Sequence, residues 1–218
     1  MTKTLRTALC LLTLTAAASV AGSASADAPP AATSDPEVAR LLKEGHSLKW
    51  NAVPAGASER HGHGEVLIGA SSDRVRQVVT NFSGYKDLMP DKFNNARIVA
   101  KEGSSTDVYM QIPMKGALLR SLSVWQVLRF GPTREIAPGV QQLEGTFVRG
   151  NNVKNGHLLF TWKAVNANTT LLKVDILITP GLPATQSMID EELRDAARQA
   201  VDAVHDRAQG NTQTVTQI

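Results

Sequence analysis

From residue 96 to residue 179 the sequence alternates apolar and polar side chains through six successive segments, and one long amphipathic stretch follows them. That order leaves few folds open. The segments are 96–102, 106–115, 120–130, 140–149, 157–165 and 169–179, separated by turn-forming residues such as Gly103-Ser104-Ser105, Asn151-Asn152 and Asn166-Ala167-Asn168. In the last of them Leu172, Val174, Ile176 and Ile178 share one face, with Lys173 and Asp175 opposite. This is the pattern of an antiparallel sheet with one wet face. Pro180-Gly181-Leu182-Pro183 ends the alternation, and residues 184–208 read as one helix with Leu193, Ala196, Ala197, Ala200, Val201, Val204 and Ala208 in its stripe.

Upstream, 65–70 reads as a strand, Ser71-Ser72-Asp73 as a helix start, 74–82 as a helix and 85–89 as one more helical turn closed by Pro90. Before these, Pro36 opens a short helical pattern with Val38, Leu41 and Leu42, capped by Ser34 or Asp35 and stopped at Gly45. A short strand over 47–53 and a loop over 54–64 complete the extension. The class is α+β: a curved antiparallel sheet of about six to seven strands wrapped around a long C-terminal helix, with two short helices after the first strand. The terminal helix is the long element available to cover the apolar face of such a sheet. Small residues dominate its stripe. Either the helix lies close to the sheet, or a space remains between them that could hold a ligand.

The first 26 residues have the three parts of a secretory leader: Lys3 and Arg6, an uncharged stretch over 8–20, and Ala24-Ser25-Ala26 before Asp27. The uncharged stretch is shorter than the roughly 20 apolar residues a membrane span needs. Residues 27–63 then form a tether, short helix and extension, 64–209 the main domain and 210–218 a tail. The expected location is periplasmic or secreted. With Lys3 and Arg6 removed, the formal net charge of +3 falls by two, which argues against nucleic acid as a partner. Cys10, the single cysteine, leaves with the leader, so the mature chain has no disulfide and no thiolate metal site.

Three stretches resemble the START-related superfamily of polyketide cyclases, coenzyme Q-binding proteins and lipid-transfer domains: GEVLIGASSDRVRQVVTNFSGYKDLMP, LEGTFVRGNNVKNGHLLFTWKAV and LLKVDILITPGLPATQSMIDEELRDAARQAVDAVHDRA. Ala70-Ser71-Ser72 lacks the proline usual at that turn. The resemblance spans about residues 64–208. It implies a helix-grip fold and a hydrophobic or lipid-like small molecule held between helix and sheet. It implies no invariant catalytic residue.

Candidate ligand contacts are the polar or amphipathic strand residues Tyr109, Gln111, Trp125, Arg129, Thr146, Arg149 and Trp162, with Ala197 and Ala200 on the helix. Alternation alone leaves open which strand face is inward. An inward arginine needs an anionic partner, which a head group could supply. Phe82, Tyr85, Leu88 and Met89 close one end as core or lid. His61 and His63 form an H-x-H pair but read as a solvated loop, because zinc sites draw on three or four ligands. His157 beside a turn has no marked partner, and His46 and His205 read as surface residues. No phosphate loop, GxSxG or HExxH is present, so no catalytic residue, metal or cofactor is expected. The expected function is an exported binding or transfer protein for a hydrophobic molecule. An aromatase/cyclase-like enzyme using the same cavity, or a ligand-free interaction module, stands as the alternative. The oligomeric state is not legible.

Overall fold

The computed structural model describes residues 35–45, 47–54, 56–113 and 124–210. The leader, the tether before Asp35, His46, the strand residues expected at 114, 115 and 120–123, and the tail beyond Gly210 lie outside the described residues.

The chain opens with α1 (Pro36–Glu44), whose cap is Asp35: its carboxylate accepts from the Glu37 N–H at 3.0 Å. Then come β1 (Ser47–Ala52), β2 (His61–Ile68) and α2 (Ser72–Val79), the last capped by the Ser71 hydroxyl. A short 3-10 turn (Phe82–Gly84) leads into α3 (Tyr85–Leu88). The strands β3 (Asn95–Glu102), β4 (Ser105–Ile112), β5 (Val124–Phe130), β6 (Arg134–Ala137), β7 (Val140–Asn151), β8 (Val153–Asn166) and β9 (Thr169–Pro180) follow, and then α4 (Gln186–Ala208). Asn152, at φ 60, makes the tight β7–β8 turn, a conformation asparagine tolerates better than most side chains.

All pairings are antiparallel, in the order β1-β2-β9-β8-β7-β5-β4-β3, with β6 paired to β7. The sheet has nine strands, more than the expected six to seven. One addition is β6, four exposed residues between Pro132 and Pro138 that are too short to show a period. The other is β1, which joins the sheet as an edge strand. Of the expected N-terminal extension, residues 47–52 join the sheet and α1 packs on its outer face. The expected loop over 54–64 is also shorter, because β2 already begins at His61.

The inner face carries Val66, Ile68, Val108, Met110, Leu128, Phe130, Leu143, Phe160, Trp162, Leu172 and Val174. These form one core with α2, Tyr85 and the α4 residues Ala200, Val201, Val204 and Ala208. Phe82, Tyr85 and Met89 pack here as core: the Phe82 ring lies 4.7 Å from that of Phe130, and the Tyr85 hydroxyl donates to the Val79 carbonyl at 2.6 Å. α4 lies over β2, with β1 and β9 on either side. Ser47 and Asn51 reach across to Asp202 and to the Asp190 carbonyl. The outer face has a second, smaller core where α1 sets Val38 and Leu41 on Leu67 and Leu171. β2 is therefore covered on both sides, and all eight of its residues are buried.

Candidate functional site

Trp162, Ala197 and Ala200 face the helix–sheet junction, as the sequence reading allowed. Over Gly62 and Gly64 the helix lies close against the sheet. A Cβ on Gly64 would lie 2.8 Å from the Ala197 carbonyl oxygen, and one on Gly62 would lie 2.0 Å from that of Leu193. Of the two possibilities, the small side chains here serve close approach. Towards the other end of α4, Ala200 packs into the core that Trp162, Phe160, Leu172 and Val174 fill. Three buried atoms on this inner face lack a hydrogen-bond partner among the described residues: Gln126 Oε1, Gln141 Oε1 and Trp162 Nε1. A polar end of a bound molecule could satisfy any one of them.

Space is found at the end of the junction. β2 pairs with β9 as far as Gly62 opposite Ile176, so Leu177–Pro180 run past the start of β2. This free stretch, the first turn of α4 and the segment leading into β2 enclose a groove of about 440 Å³, lined by Leu177, Ile178, Pro180 and Ile189 with Glu59, Arg60, Thr179 and Gln186. Its polar rim is held in place. Glu59 accepts from Asn155 at 2.7 Å and from Thr179 at 2.9 Å, Arg60 pairs with Asp190 at 2.9 Å, and Gln186 donates to Asp190 at 2.7 Å. An apolar floor with a few fixed polar groups suits an amphipathic molecule.

The other candidates sit elsewhere. Tyr109, Gln111, Trp125, Arg129 and Thr146 occupy the outer face, opposite in alternation to Val108, Met110, Leu128 and Leu143 of the core, and a bulge in β7 pairs Arg149 with Val127 on that same face. The expectation that they line the helix–sheet space is corrected on this ground. Arg129 finds its anion within the protein: it grips Asp107 with two bonds of 2.7 and 2.9 Å and reaches Glu102 at 3.0 Å. The Asp107 carboxyl is held below its ordinary value by the bond to Arg129. Tyr109 stacks on Trp125 at 5.6 Å and lies under the Arg97 guanidinium at 5.0 Å, while Thr146 and Arg149 are exposed.

The sequence reading missed the most organised polar group. His61, His63 and Glu65 project from the outer face of β2 and are buried. His63 Nδ1 meets Asp175 at 2.6 Å and its Nε2 meets Glu65 at 3.0 Å. Carboxylates accept only, so both ring nitrogens donate and the ring is an imidazolium. Burial opposes that charge, yet the bonds to Asp175 and Glu65 outweigh it and push His63 up to about 9. Burial likewise opposes the Glu65 charge, and His63, Lys173 and Arg40 overcome it and hold Glu65 below its ordinary value. Trp50 lies 4.3 Å from His63, and the Arg40 guanidinium covers Trp50 and pairs with Glu65. His61 turns to β8 instead, bonding His157 at 3.0 Å. The signal was the strict alternation of H-G-H-G-E, which marks a strand as well as any apolar pattern does. Among the described residues, no group of three or more His, Cys, Asp or Glu could hold a metal ion, and no helix is long and apolar enough to cross a membrane.

No protein-family model matches the sequence. No curated protein matches it. Solved structures do match in fold. A STAR-related lipid transfer protein from Xanthomonas axonopodis aligns with a TM-score of 0.61 at 13% identity, covering 75% of this chain and 94% of that one. Human StAR-related lipid transfer protein 5 aligns at 0.60 and 10% identity, covering 76% and 83%. A START superfamily protein from Mycobacterium smegmatis aligns at 0.56 and 16% identity, covering 76% and 99%. The chain shares the helix-grip fold of these proteins.

Proposed function

We propose that this START-fold protein is exported and binds or transfers a hydrophobic, lipid-like molecule, seated in the groove at the N-terminal end of α4. The groove itself carries the reading: about 440 Å³ with Leu177, Ile178, Pro180 and Ile189 as its apolar lining. That volume is within the range of small-molecule sites. The fold relatives support it, since two of them are named as lipid transfer proteins.

The test is binding of N-phenyl-1-naphthylamine, an uncharged apolar fluorophore, to the protein and to Ile189→Glu. A carboxylate there meets the apolar lining at the helix's partly exposed first turns. Affinity should drop about tenfold or more, a change of about 1.4 kcal/mol. Far-UV circular dichroism should stay unchanged. Equal binding by both proteins counts against the groove. Native mass spectrometry of protein purified from its own source should show a bound apolar molecule.

Export rests on the leader pattern in residues 1–26. N-terminal sequencing of the protein from its own source should begin at Asp27, and a chain still beginning at Met1 would refute export.

A second reading has an observation of its own. The closed junction at Gly62 and Gly64 and the filled core at Ala200 suit a ligand-free interaction module. A probe that fails to bind while the fold is intact favours it.

A further inference from the structure

Proton counting on the outer face leads to the groove. His61 Nδ1 lies 2.9 Å from the Glu59 carbonyl oxygen, which only accepts, so Nδ1 carries a proton. His157 Nε2 lies 3.0 Å from the Glu144 carboxylate, so Nε2 carries one too. His61 Nε2 and His157 Nδ1 face each other at 3.0 Å, with one proton between them. The two rings together hold three protons and one positive charge. Burial disfavours a charge on His61, and the bond to the Glu59 carbonyl opposes that less strongly. His157 is the more exposed ring and stands beside Glu144, which also binds Arg134. If the third proton leaves, two nitrogen lone pairs oppose each other across the same gap and the contact opens.

This pair borders the groove. His61 holds the carbonyl of Glu59, a lining residue, and His157 is paired in register with Leu177, another lining residue. The charged groups around the pair are Glu59 and Arg60 before β2, His63 on β2, Asp175 on β9, Glu144 on β7, Arg134 on β6 and Asp190 on α4. Glu59 is also tied to Asn155 and Thr179, and Asp175 to His63, while in the His61–His157 contact two ring nitrogens share one proton.

We propose that His61 and His157 form a one-proton clamp that fixes the Glu59–Arg60 wall of the groove, so that raising the pH opens the clamp and loosens the hold on a bound molecule. The link to ligand rests on the groove reading, whereas the clamp itself does not.

Two measurements on the purified protein separate them. Side-chain ¹⁵N spectra across pH 5 to 9 should show the two rings losing one proton as a unit, with the Arg60 and Thr179 amide resonances shifting at the same midpoint. N-phenyl-1-naphthylamine should bind about fivefold more tightly below that midpoint than above it, a coupling of ordinary allosteric size. In His157→Gln the affinity step and the amide shifts should vanish. Rings that titrate independently, or amides that stay still while the rings titrate, overturn the clamp. An unaltered affinity step in His157→Gln overturns its link to the groove. If the probe binds at no pH, the groove reading falls, and the clamp is judged on the amide shifts alone.

Discussion

Gly62→Ala should unfold at a temperature about 10 °C lower than the parent chain, a loss of at least about 3 kcal/mol. The effect is large because of what the added methyl group meets. A Cβ at this position falls 2.0 Å from the Leu193 carbonyl oxygen, 2.1 Å from its carbon and 2.6 Å from the Arg194 nitrogen. These are helix backbone atoms, which cannot swing aside like the end of a side chain. Either β2 drops out of register between β1 and β9, or α4 lifts and carries Leu193, Ala197 and Ala200 off the inner face. Gly131→Ala is the control, because a Cβ there has nothing within 4 Å. It should change stability by less than about 0.5 kcal/mol. Thermal melts of the two variants decide the matter. Equal melting temperatures would mean that α4 does not rest on β2.

That contact shows where the sequence could be read and where it could not. The period change from strand to helix at Pro180 is local, and so are the alternations of β4, β8 and β9; each was legible within a few residues of chain. The pairing of Gly62 with α4 joins positions about 130 residues apart, and nothing in H-G-H-G announces a helix above it. The same distance hid the site. Asp175 stood isolated in sequence because its partner His63 is 112 positions away, and His157 stood alone because His61 is 96 away. The outward direction of Tyr109, Trp125 and Arg129 was hidden for another reason. Both faces of β5 carry apolar residues, since Val127 is buried opposite Leu128 and Phe130, so the period gave the alternation without its sign.

His63 carries the second large effect, and its sign can be worked out from the two carboxylates it serves. Its folded value of about 9 lies above the ordinary 6.5, so the folded chain binds the proton more tightly than the unfolded one. The stabilisation is complete below pH about 6.5, declines as pH rises, and is gone above about 9. At about 1.36 kcal/mol for each unit it amounts to about 3 kcal/mol. Glu65 acts in the opposite sense. Its value lies below the ordinary 4.5, so its contribution is present above that pH and is lost as pH falls further. The pair leaves a plateau between pH about 4.5 and about 6.5 and a fall on the alkaline side. His63→Ala removes the shared cation and leaves Asp175 and Glu65 buried on one face, with Arg40 and Lys173 reaching only Glu65. Breaking a buried pair from one side costs about 3–5 kcal/mol near neutral pH. Urea unfolding of both proteins at pH 6, 7.5 and 9 should show a gap that is widest at pH 6 and narrows towards pH 9, because the parent gives up the imidazolium there while the variant has none to lose. A gap of constant width across that range would mean that His63 is neutral in the folded protein and that the two carboxylates are held by other groups.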